Sequence, residues 1–139
     1  MVAPLFFLLV FGMIDFGRLF FTQMTLQHAL REAGRFAVTG NKIDPDGPGP
    51  KPPMSRIDSI KQIATQAAVG IDVTSMSISS VGGGSNSAGG PDDTVTVSLT
   101  TKLKLITPLI GRYFGSEGVY TFTVSTTFKN EPFDPSQTD

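Results

Sequence analysis

The sequence predicts an α+β chain: a long apolar N-terminal helix, a second helix, and a small antiparallel β-sheet of about three strands. Three observations carry that expectation. Residues 1 to 14 bear no charge, and only Asp15 and Arg18 are ionisable before Gln27. A Pro/Gly-rich stretch, NKIDPDGPGPKPP, then breaks the chain. Beyond it, apolar residues recur first with helical spacing and afterwards every second residue.

With 139 residues the chain is one domain's worth, organised as an N-terminal helix (1–40), a linker (41–54) and a β-rich head (55–139). Pro4 falls near the helix start, where its missing N–H costs little. Gly40 and Asn41, followed by Pro45, form the stop. Forty residues of helix span roughly 55–60 Å. Up to about Phe21 the helix is apolar on every face, the mark of a buried or membrane segment. From Thr22 it turns amphipathic, with Leu26, Leu30, Ala33 and Phe36 expected to pack it on the head. Gly12, Gly17 and Gly34 each cost a helix about 1 kcal/mol, which fits close approach by neighbouring helices.

In the head, Ser55 is the expected N-cap of a second helix, with Asp58 three residues on. Its stripe is Ile57, Ile60, Ile63, Ala64, Ala67 and Ala68, and Gly70 closes it. Strands are expected at 72–80, 93–104 and 119–129, where apolar residues alternate with Ser, Thr and Lys. One sheet face is then covered and the other wettable. The 81–92 stretch is expected to be a flexible loop, 105–115 a short turn or helix, and the tail extended.

Several function classes are disfavoured. The net charge of −1 gives no reason to expect a nucleic-acid partner. With no cysteine and one histidine, His28, no thiol nucleophile, metal centre or histidine triad is expected. His28 reads as an ordinary surface residue. The glycine-rich VGGGSNSAGG lacks the Lys-Ser/Thr of a phosphate loop, and Asp44, Asp46, Asp92 and Asp93 lack calcium-loop spacing. No catalytic, cofactor or metal residues are assigned, and no enzyme is expected.

Residues 1–21 contain about fifteen large apolar side chains, each worth roughly 1.5–3 kcal/mol when buried. A small head cannot wrap them all, so the helix needs lipid or sister helices around it. Leu5, Phe6, Leu9, Phe11, Gly12, Ile14, Phe16, Gly17 and Phe20 are the expected membrane and filament-core positions. Asp15 and Arg18 lie three apart on one face and are positioned to pair. They either fix packing register with neighbouring subunits or mark the bilayer surface.

The run Phe11-Gly12-x-Ile14-Asp15-Phe16-Gly17-Arg18, the early Pro4, and the ending Gln27-x-Ala29-x-Arg31-Glu32-Ala33-Gly34-Arg35-Phe36 together resemble the TadE-like pilin-like family of Tad (type IVc) pilus systems. LKLITPLIGRYFG and the final Thr/Ser-rich strand are also similar to that family. The resemblance implies a precursor in the bacterial inner membrane, cut by a prepilin peptidase. A motor ATPase and an assembly platform protein then build it into a homo-oligomeric helical filament at the cell surface. Family members carry a basic leader and a Glu-Phe-Ala-like stretch before the V-x-P. Here Val2-x-Pro4 follows Met1, so the processing site and that glutamate are not mapped. Two alternatives stay open: a minor tip, priming or surface-binding component of the pilus, and a single-pass anchored protein that never polymerises.

Overall fold

The computed structural model describes residues 2–47, 52–107 and 118–134. The element order is α1 (Ala3–Val38), α2 (Arg56–Ala67), β1 (Val73–Ser80), β2 (Gly84–Ser85), β3 (Thr94–Lys104) and β4 (Val119–Lys129). The sheet is antiparallel in the order β2-β1-β3-β4. Among the described residues it has four strands, which fits the expected small sheet of about three; the additional one, β2, is two residues long and has no alternation to read.

α1 starts with Pro4 in its first turn and ends at Thr39. Gly40 then takes φ +72°, the left-handed geometry that terminates a helix, and donates its N–H to Ala37 O. A Cβ at Gly40 would also lie 2.6 Å from the Phe133 ring, so glycine is required there twice over. α2 is capped as expected: Ser55 Oγ accepts from Asp58 N at 3.1 Å.

The core lies between the helices and one face of the sheet. Leu26, Ala29, Leu30, Ala33 and Ala37 of α1 meet Ile60 and Ala64 of α2, Ile78 of β1, and Val95, Val97 and Leu99 of β3. Phe36, Met76, Phe122, Val124 and Phe128 close its margins. Gly34 lets the Phe128 ring approach α1, with only 3.3 Å to the place a Cβ would occupy.

The opposite sheet face is a grid of hydroxyls in register. Ser79, Thr96 and Thr127 form one row, Ser77, Ser98 and Ser125 the next, and Ser75, Thr100 and Thr123 the third. Thr96–Thr127 and Thr100–Thr123 bond across strands at 3.0 and 2.8 Å.

The 81–93 connection is tied down at several points, contrary to the flexible loop expected from its composition. Asp93 accepts from Gly82 N at 3.1 Å and Thr94 N at 2.8 Å. Asn130 Nδ2 donates to Ala88 O and Gly90 O at 3.0 and 2.8 Å, and Lys129 Nζ stands 3.2 Å from Asp92. Composition signals backbone freedom, but not the carboxylate and amide that remove it. Of the linker, Ile43 N donates to Ser59 Oγ and Ile43 O accepts from Met54 N. The expectations for 48–51, for 108–115 and for the last five residues of the tail lie outside the described residues.

Candidate functional site

About a third of the way down α1 from its C-terminal end, the helix leaves the core of its head. From Leu26 to Ala37 the inward stripe is buried. Below Met24 the large side chains stand open: Val2 is 76% exposed, Leu5 69%, Phe6 60%, Leu9 56%, Ile14 45%, Phe16 71% and Phe20 56%. Phe11 is 38% exposed, and its ring stacks on Phe7 with centroids 6.2 Å apart. Gly12 is half-buried, whereas Gly17 is exposed and a Cβ there would meet nothing within 4 Å. Every residue expected at the membrane or filament-core surface thus sits on this protruding half. The four expected at the helix–head contact sit in the core: Leu26, Leu30 and Ala33 buried, Phe36 partly so.

Asp15 interrupts the apolar surface, and it is buried at 4% exposure. Its carboxylate accepts from Ile106 N at 2.9 Å, from Thr107 N at 2.8 Å and from Thr107 Oγ1 at 2.7 Å. Arg18 Nη1 stands 3.8 Å away and donates to Lys104 O at 3.1 Å. The local pair read from the sequence is therefore present, but it is the weaker part of the arrangement. The carboxylate mainly latches the segment that follows β3 onto α1, a contact across 91 positions that a helical-spacing argument cannot reach. Arg18, 43% exposed, is the open member.

A second clasp escaped the sequence reading. Arg56, 1% exposed, donates Nη2 to Ala37 O at 2.8 Å and Nη1 to Gly89 O, and its guanidinium lies 4.5 Å over the Phe133 ring. It joins the end of α1, α2, the 81–93 connection and the C-terminal segment. A cation at a helix C-terminus is favoured by the helix dipole, yet an arginine at the start of α2 reads from sequence as surface. His28 is exposed on α1.

Among the described residues no group of three or more His, Cys, Asp or Glu could hold a metal ion. α1 is long and apolar enough to cross a membrane, and only 11% of its most apolar window is buried.

Residues 1–35 match the TadE-like protein family. The matched segment contains the whole protruding half of α1, Asp15 and Arg18, and the first turns that enter the core. Neither the curated proteins nor the solved structures contain a match to the chain.

Proposed function

We propose that this chain is a structural pilin-like subunit, which passes from the membrane into a Tad-type pilus filament by burying its N-terminal helix against copies of itself. The carrying observation is the row of exposed large apolar side chains from Val2 to Met24 on a helix whose upper third is locked into its own head. At roughly 1.5–3 kcal/mol per large side chain, leaving it in water costs tens of kcal/mol, several times ordinary fold stability. Lipid removes that cost before assembly and sister helices remove it afterwards. Contacts of this head-to-tail kind do not close, so they build an open helical polymer. The heads form the sheath, with the hydroxyl grid turned away from the helices.

The TadE-like likeness supports the same route: inner membrane first, then a prepilin peptidase, a platform protein and a motor ATPase, then the cell surface. The chain is read as non-enzymatic, and no cofactor is invoked. The test is electron microscopy of sheared cell-surface fibres with mass spectrometry of their subunits. This chain as the repeating subunit upholds the proposal. Trace amounts in the fibres would make it a tip component, and confinement to the membrane fraction would make it a simple anchor; either outcome overturns the structural role.

A further inference from the structure

The alternation that turns Thr96, Ser98 and Thr100 outward on β3 continues into Lys102, Lys104 and, past the strand end, Ile106; all three are exposed, Ile106 at 51%. That end of β3 is held against the first charged turn of α1. Arg18 bonds Lys104 O, and Asp15 bonds the amides of Ile106 and Thr107. Three cations and an open isoleucine therefore stand at one level of the molecule, Arg18 on the helix side and Lys102 and Lys104 on the sheet face turned away from it, and together they form the rim of the head at the end of β3.

Behind the rim is a hollow of about 270 Å³ lined by Arg18, Phe21, Asp72, Thr101, Lys102 and Leu103. Among the described residues, two carboxylates lie nearby. Asp15 is buried and occupied by its latch; Asp72 is exposed and is outnumbered. Tyr120, opposite Leu103 in β4, stacks on Phe122 with centroids 5.8 Å apart and adds an aromatic of the type found at membrane–water boundaries.

We propose that this rim seats the phosphate of an anionic phospholipid while the chain is still in the membrane. The heights agree. Val2 to Arg18 is about 25 Å of helix, close to the roughly 30 Å of a hydrocarbon core. The exposed Lys102 and Lys104, on flexible stems, span the remainder by reaching up to the headgroups. The rim's positive charge and its continuity with the apolar helix select a lipid headgroup over a soluble anion. Ile106 enters the acyl boundary beside it.

The proposal rests on α1 lying in lipid before assembly. The chain has no tryptophan, so Ile106→Trp places a single indole reporter on the rim without removing the backbone bond to Asp15. The full chain is transferred from detergent to phosphatidylcholine vesicles with or without phosphatidylglycerol. We expect blue-shifted emission, quenched by lipids brominated near the headgroup. We also expect a preference for phosphatidylglycerol of roughly fivefold per lysine at low salt. Lys102→Gln/Lys104→Gln, exposed positions both, should lose that preference while remaining in the bilayer. Equal partition into both vesicles, or an indole that stays water-like, overturns the rim alone. A chain that remains outside both vesicles overturns the membrane stage as well.

Discussion

Asp15 owes its importance to the three donors that would be stranded without it. Asp15→Ala leaves the amides of Ile106 and Thr107 and the Thr107 hydroxyl without their acceptor. Each buried orphan costs about 1–3 kcal/mol. The expected outcome is faster hydrogen exchange at those two amides in the detergent-held chain, with a stability loss of about that size or more. Unchanged exchange would mean that the latch is not closed in solution. Asp93 acts differently. Partial burial pushes its carboxyl up, but donors from Gly82, Thr94, Ser80 and Gly90 outweigh this and hold it below the ordinary carboxylate value. Its contribution is therefore complete above about pH 4 and is lost as pH falls through the lowered value. The Gly82 and Thr94 amides should lose protection in that acid window. Asp93→Asn should abolish the pH dependence.

At the scale of elements, α1 is two helices in one, and its glycines separate the two roles. Gly34 faces Phe128 inside the head, so Gly34→Leu should overpack the contact and cost about 1–3 kcal/mol in thermal or denaturant unfolding. Gly17 faces open space within the single chain. Gly17→Leu should leave head unfolding unchanged or slightly raised, since leucine favours helix by up to about 1 kcal/mol. If sister helices approach there, the same substitution should lower fibre yield sharply. Normal fibres from Gly17→Leu cells would mean that no helix packs against that position. Gly40→Ala forces an L side chain into left-handed backbone and into the Phe133 ring, so it should loosen the end of α1 and, with it, the seat of Arg56.

At the scale of the whole molecule, the division between a locked upper helix and an open lower one predicts solubility. A chain beginning at Asp15 keeps the latch, the Arg56 clasp and the core stripe but loses the apolar run before them. It should need less detergent than the full chain and should fail to enter fibres, as read by sedimentation and by microscopy of cells producing it.

How much of this was legible beforehand follows the range of the interactions. The two helices, the three long strands and the Ser55 cap could be read because propensity, capping and alternation act between residues a few positions apart. The burial of Leu26, Leu30 and Ala33 follows from the same helical stripe. The apolar run from Val2 to Phe21 likewise fixed, by composition alone, that the helix must find company outside its own head. Folding decided what the charged residues touch. Asp15 meets Ile106 and Thr107, Arg56 meets Ala37 and Gly89, and Asn130 meets Ala88 and Gly90. Those partners are brought together by chain closure over tens of residues, and a carboxylate, guanidinium or amide is equally at home in water until a particular backbone group arrives to replace it.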